Sequence, residues 1–258
     1  MLAGRMNFLE PEVAPCRILP MKADEIHVWN GRVAAGEDCF LELYKYLSPD
    51  EIERAARLRF DEHRRSFIIC RGLLRSILAG YLGLRPAEIQ FQYGAQGKPA
   101  LQNRAMCFSV SHSENRVLYA FGKNFELGVD LEYVRELPDA EMLAQRFFAP
   151  SEYLEFCGTT PAIRTRAFFC CWTRKEAYIK ATGQGLSQPL RSFQVPIEPE
   201  QPDKLRITTR SDEHLSGWSL RHLDPAPGYV GALAAPLVSF PLVQWTFGTA
   251  EECIERQI

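Results

Sequence analysis

Two acidic residues spaced two apart offer the clearest chemistry in this chain. Gly128-Val129-Asp130-Leu131-Glu132 has the pattern of a strand, and alternate residues of a strand share a face, so Asp130 and Glu132 stand side by side. Paired carboxylates suit Mg²⁺, a hard cation that takes a few of them and completes its shell with phosphates and water. A solvated strand face would carry the same pattern, so further residues must decide between the two. Trp172-Thr173-Arg174-Lys175-Glu176-Ala177-Tyr178-Ile179-Lys180-Ala181 supplies them. Trp172, Lys175, Glu176 and Lys180 fall at i, i+3, i+4 and i+8, which predicts one helical stripe with a carboxylate between two lysines. That arrangement fits a carboxylate meeting a cation or proton while ammonium groups meet phosphate; an exposed Glu–Lys ladder is the plainer alternative.

Two other clusters carry weaker signals. In Phe108-Ser109-Val110-Ser111-His112-Ser113 a strand runs into a turn, where hydroxyl and backbone donors could hold a phosphate. A nucleophilic triad is disfavoured, because adjacent Ser and His seldom reach triad geometry and no Gly-x-Ser-x-Gly elbow is present. Seven arginines (54, 57, 59, 64, 65, 71 and 75) crowd one stretch against Asp61 and Glu62, and Lys98 follows in Gly97-Lys98-Pro99. Most predict a solvated helix face with buried stems. Arg71, beside apolar Cys70 and Leu73, is the candidate phosphate clamp.

These residues need elements to hold them. Residues 26–30 read as a strand. Ser48-Pro49-Asp50-Glu51 is a helix start with a capping residue, an N1 proline and a glutamate three residues after the cap. Helical pattern then runs to about residue 82 with a break near Asp61. Strands follow at 106–111, 116–121 and 127–132, and Gly94 to Pro99 reads as a loop. Helices are predicted at about 139–147, after Pro150, and at 162–182 with Gly183 as the stop. Short strands punctuated by Pro and Gly fill 192–197, 204–209, 217–223, 228–234 and 242–247. No internal repeat is visible, and the mixture makes the class α+β.

Composition bounds the function. The chain has 258 residues, 46% hydrophobic and 24% charged, which is ordinary for a globular protein with a real core. A net charge of −2 gives no basic field for nucleic acid. No apolar run approaches the roughly 20 residues that span a bilayer, and the first residues lack the apolar core of a secretory signal. Eight cysteines without a Cys-x-x-Cys pair, with Cys170 and Cys171 adjacent, read as reduced thiols, so the cytoplasm is the expected compartment.

Taken in order, the motifs resemble the Sfp-type 4′-phosphopantetheinyl transferases of the holo-acyl-carrier-protein synthase superfamily. The matching segments are Gly97-Lys98-Pro99, Ser109-Val110-Ser111-His112, Gly128-Val129-Asp130-Leu131-Glu132 and the Trp172–Ala181 run, extended by Thr182-Gly183-Gln184-Gly185-Leu186. Similarity covers roughly residues 48 to 195. The resemblance implies two similar α/β halves related by a pseudo-twofold within a monomer, here divided as 1–124 and 125–258, with coenzyme A bound between them. It implies Mg²⁺, or Mn²⁺ in its place, on Asp130, Glu132 and Glu176. It places Lys175 and Lys180 near the pyrophosphate, and Arg71, Lys98, Pro99, Ser111 and His112 on coenzyme A. Glu176 or Glu152 would take the proton of the acceptor, a serine of an acyl or peptidyl carrier protein. Ser109 stands where many relatives have Asn, so the hydrogen bond there is expected to differ. A non-catalytic binder of coenzyme A or carrier protein on the same fold, and another Mg²⁺-dependent phosphate-ester enzyme, are the rival readings. The intact set of Asp130, Glu132, Glu176 and Lys180 argues against the first. The Lys98 and His112 loops have no purpose in the second.

Overall fold

In the computed structural model, residues 12–13, 20–94, 96–198, 208–209, 217–237 and 239–255 are described. The first half contains β1 (Glu12–Val13), β2 (Ile26–Arg32), α1 (Glu37–Tyr46), α2 (Pro49–Ala56), α3 (Asp61–Leu82), β3 (Phe91–Tyr93), β4 (Pro99–Leu101), β5 (Cys107–Ser113) and β6 (Arg116–Gly122). The second contains β7 (Gly128–Tyr133), α4 (Ala140–Phe147), α5 (Pro150–Gly158), α6 (Pro161–Thr182), β8 (Phe193–Gln194), β9 (Thr208–Thr209), β10 (Ser219–Leu223) and β11 (Tyr229–Ala235). A final strand and helix, β12 (Leu242–Phe247) and α7 (Ala250–Glu255), complete the chain's described elements. The fold is α+β.

Each half repeats one motif. In the first, β2, β6 and β5 pair antiparallel in that order, and α3 packs its apolar face on them. In the second, β7, β11 and β10 pair the same way beneath α6. Both long helices have 22 residues and stop at a glycine in the left-handed region, Gly83 at φ 65° and Gly183 at φ 69°. A glycine takes that conformation without the Cβ clash that other residues meet.

The repeat extends to a buried ion pair that the sequence does not announce. In each half a proline-started helix, α2 or α5, carries a glutamate at its third position. Glu51 accepts from the Ser48 amide at 3.0 Å and Glu152 from the Ala149 amide at 2.6 Å. Each glutamate also meets a cation from the long helix, Arg75 at 2.7 Å in one half and Lys175 at 2.7 Å in the other. The cation then ties down the chain leaving that helix. Arg75 donates to the Ile89 carbonyl at 2.8 Å, and Lys175 donates to the Leu190 carbonyl at 2.8 Å. In sequence these helix starts share only the proline and the glutamate, so the duplication becomes plain only in three dimensions.

The last strand does not stay with the second half. β12 lies parallel to β2, with Leu242 opposite Ile26 and Phe247 opposite Gly31, and α7 packs on α3. Residues 242–255 therefore pack with elements of the first half. Between the halves, β5 faces β7 without a shared backbone ladder, and Ile26, Val28, Leu118, Val129, Leu131 and Leu233 fill the space between the sheets.

Several elements were not anticipated, among them β1, α7, α1 and the strands β3 and β4. Helix α1 begins at Gly36 without a side-chain cap and buries only Leu43 of its residues, so its signal in sequence is thin. The loop read at Gly94 to Pro99 is the turn of a β3–β4 hairpin with strands of three residues each. Of the strand predicted at 204–209, residues 204–207 lie outside the described residues.

Candidate functional site

The site forms where β7 runs close beneath α6. Gly128 permits this approach: a Cβ there would stand 2.0 Å from the Ala177 carbonyl oxygen. Two residues along, Asp130 comes under Lys180, whose Nζ lies 2.7 Å from Asp130 Oδ1. Ser111, on the facing strand β5, donates to the same oxygen at 2.9 Å and accepts from Lys180 at 3.0 Å. Asp130 is 5% exposed, and its other oxygen, Oδ2, is buried without a hydrogen-bond partner. Glu132 is half-buried and accepts from the Ser113 hydroxyl at 3.3 Å. Glu176, one turn before Lys180 on α6, is half-buried as well. Burial, and then the charge of Asp130, holds the carboxyls of both Glu132 and Glu176 above their ordinary value.

This donor set suits a hard divalent cation. A buried carboxylate oxygen without a partner, beside two carboxyls that resist ionisation because they are buried and lie near the charge of Asp130, is relieved by positive charge. Among the described residues no three His, Cys, Asp or Glu side chains form a ready-made metal cage. An ion held by one or two carboxylates and completed by substrate phosphates needs none, and Mg²⁺ binds in that manner. Asp130, with Glu132 and Glu176 close enough to feel its charge, supplies the candidate carboxylates.

Three expected site residues are elsewhere. Lys175 is one position from Glu176, hence about 100° around the helix, and its ammonium is fully buried against Glu152, the Leu190 carbonyl and the Phe193 carbonyl. The predicted single stripe thus divides, with Glu176 and Lys180 toward Asp130 and Lys175 into the core. Glu152 is equally enclosed, at 2% exposure, and accepts from the Ala149 and Val195 amides. Both side chains are taken up by these partners in the core. Arg71 is also buried, with its Nε 3.5 Å from Glu51 and its guanidinium over the rings of Phe91 and Phe67. It belongs to the first half's ion pair, and no contact joins it to Asp130, Glu132 or Glu176 among the described residues.

The remaining candidates border two hollows. Lys98 and Pro99 line a cavity of about 260 Å³ together with Glu176, Lys180, Phe108 and Ile179. Lys98 Nζ bonds Glu126 at 2.8 Å and the Leu127 carbonyl at 3.2 Å. Across β5, the exposed His112 opens on a cleft of about 1070 Å³ shared with Arg54, His63 and Arg65. Arg54 and Arg65 belonged to the arginine cluster without being singled out, and His63 was overlooked. Their place opposite His112 depends on the β5–β6 turn, which no local pattern reveals. Ser109, the position that departs from the usual pattern, accepts from the Val129 amide at 3.0 Å.

Known proteins agree with this architecture. A family model described as the 4′-phosphopantetheinyl transferase superfamily matches residues 126–234, and one described as 4′-phosphopantetheinyl transferase, N-terminal, matches residues 33–123. The chain is 40% identical over 220 residues to the 4′-phosphopantetheinyl transferase HetI of Nostoc sp., across 84% of this chain and 90% of that one. It is 29% identical over 197 residues to the 4′-phosphopantetheinyl transferase Sfp of Bacillus subtilis, across 76% of this chain and 85% of that one.

Proposed function

This chain belongs to the 4′-phosphopantetheinyl transferase family and is an enzyme of the Sfp-like kind; on that premise we propose that it transfers the phosphopantetheine arm of coenzyme A to a serine of an acyl or peptidyl carrier protein in a Mg²⁺-dependent reaction. The observation that carries this reading is the union of Asp130, Ser111 and Lys180 beside the cavity that Lys98 and Glu176 border. An anionic pyrophosphate entering there meets the ammonium groups of Lys180 and Lys98 beside the carboxyl of Glu176.

Bound at Asp130, Glu132 and Glu176, Mg²⁺ would neutralise the pyrophosphate charge that repels an incoming nucleophile. Lys180, set between Asp130 and the cavity, stabilises the negative charge that gathers on the departing phosphate. Glu176, made more basic by its burial, would in its ionised form accept the proton of the carrier serine directly or through a water. The serine oxygen forms a bond to the β-phosphorus, the bond to 3′,5′-ADP breaks, and no covalent enzyme intermediate is required. Glu152 has no part in this step, being shut in with Lys175. Lys98 and, from the wider cleft, His112, Arg54 and Arg65 hold the nucleotide end through its phosphates.

The reading is tested by intact-mass spectrometry of an apo carrier protein incubated with this enzyme, coenzyme A and Mg²⁺, with an EDTA control. A gain of about 340 Da, one phosphopantetheine, that disappears with EDTA is expected. No gain on carriers from fatty-acid, polyketide and peptide assembly would overturn it.

A further inference from the structure

Three alternate serines of β5 point at one edge of β7. Ser109 Oγ accepts from the Val129 amide at 3.0 Å. Ser111 Oγ donates to Asp130 at 2.9 Å. Ser113 Oγ accepts from the Tyr133 amide at 3.0 Å and donates to Glu132 at 3.3 Å. Strands β5 and β7 belong to different sheets, so no backbone ladder serves this edge. A row of hydroxyls takes its place. A hydroxyl can donate and accept at the same time, which is the property the position demands. Facing β7, it can satisfy an edge amide with a lone pair while its proton fixes a carboxylate. Alanine offers neither.

We propose that this serine row is the positioning device of the cation site, with Ser111 and Ser113 holding Asp130 and Glu132 in the rotamers that present their other oxygens. The inference rests on the metal assignment of the proposed function and adds residues to it. Ser111 gives its proton to Asp130 Oδ1 and receives one from Lys180, so Oδ1 is saturated and Oδ2 is the oxygen left vacant. Ser113 does the same for Glu132 by holding Oε2. His112, between them, points to the opposite face of the strand and into the wider cleft. One strand thus addresses two ligands: its serine face sets the carboxylates, and its histidine face meets the nucleotide. Ser111, expected from family resemblance to touch coenzyme A, is committed to Asp130 and Lys180.

The test separates cation affinity from coenzyme A affinity. Mn²⁺ is titrated by electron paramagnetic resonance into the protein saturated with coenzyme A and lacking any carrier, for wild type, Ser113→Ala, Ser113→Thr and Ser111→Ala. Groups that orient metal ligands typically influence affinity by about 10- to 100-fold, so the alanine variants are expected to weaken Mn²⁺ binding by about tenfold. Ser113→Thr, which retains the hydroxyl on a strand-favouring side chain, is expected to restore it. Coenzyme A affinity, measured without metal, sets the concentration that saturates each variant, because Ser113 also lines the His112 cleft and Ser111 bonds Lys180. Unchanged Mn²⁺ affinity in folded Ser113→Ala and Ser111→Ala, against tight binding by wild type, overturns the positioning role alone. Failure of wild type itself to bind Mn²⁺ overturns the metal assignment on which it rests.

Discussion

Lys175 and Glu152 lie 2.7 Å apart in the core of the second half, and both side chains are closed off from solvent. A motif that looks catalytic in sequence therefore includes a structural member. Removing one partner of a buried pair leaves the other charge uncompensated, so Lys175→Ala is expected to lower stability by about 3–5 kcal/mol. Urea unfolding checks the loss. A variant of native stability with a raised KM for coenzyme A would instead return Lys175 to the pyrophosphate.

Asp130 is not the free strand carboxylate that its sequence context suggests; it is buried and bonded to Lys180 and Ser111. Asp130→Asn preserves the shape and removes the charge. Transfer to a carrier protein, followed by intact mass, is expected to fall by about 10²-fold or more, with the unfolding midpoint changed little. Near-wild-type turnover would exclude Asp130 from the cation site.

Lys98 bonds Glu126 where it borders the cavity. A phosphate in that cavity would compete for the ammonium, and a charge-assisted hydrogen bond of this kind corresponds to about a tenfold effect on binding. Lys98→Ala is expected to raise the KM for coenzyme A with kcat held. Steady-state kinetics with coenzyme A varied decides it, and an unaltered KM would remove Lys98 from the binding set. The same measurement on His112→Ala probes the wider cleft.

The carboxyls of Glu132 and Glu176 are held above the ordinary value of 4.5 by burial and by Asp130. Their ionised forms, needed as ligands or base, therefore build up only at higher pH, and kcat/KM is expected to decline as pH falls through these raised values. Protons and the cation compete for the same oxygens, so raising Mg²⁺ should move the acid limb to lower pH. A limb that stays fixed across Mg²⁺ concentrations would contradict shared use of the carboxylates.

His27 carries a separate pH effect, on stability. Burial pulls its pKa below the ordinary 6.5, outweighing the pull of Glu25 in the other direction. The folded ring is thus kept neutral, between Tyr81 at 2.6 Å and Glu25 at 3.2 Å. Stability from this group is complete above about pH 6.5 and declines as pH falls from there toward the folded value, because the unfolded chain takes up the proton first. Melting temperatures at about pH 7.5 and about pH 5.5 should differ less for His27→Gln than for wild type. An identical difference would place the acid sensitivity elsewhere.

Local patterns made the long elements legible. Pro49 and Glu51 mark a real capping box, and the helix predicted at 162–182 is observed over Pro161–Thr182, with Gly183 ending it. Asp130 and Glu132 are on a strand as the alternation requires. What escaped were relations between distant segments. Arg71 and Lys175 carry the right charge for phosphate, yet each lies near a glutamate from another helix that sequence spacing does not connect to it. Ser48-Pro49-Asp50-Glu51 and Ala149-Pro150-Ser151-Glu152 held the signal of the repeat, but two shared residues in four are too few to register. The serine row was in view in the sequence as alternate residues, and only the meeting of two sheets gives it a purpose.

Strand β12 carries a consequence for how the chain is made. It pairs with β2 across more than 200 intervening residues, Leu242 opposite Ile26. During synthesis the amide edge of β2 is complete long before its partner leaves the ribosome, and an open edge invites pairing with other chains. Contacts of such separation also close slowly. The first half cannot reach its finished form until residues 242–247 have emerged, so between the synthesis of β2 and that of β12 the nascent protein carries a strand-sized vacancy that a chaperone, or a second nascent chain, is able to occupy.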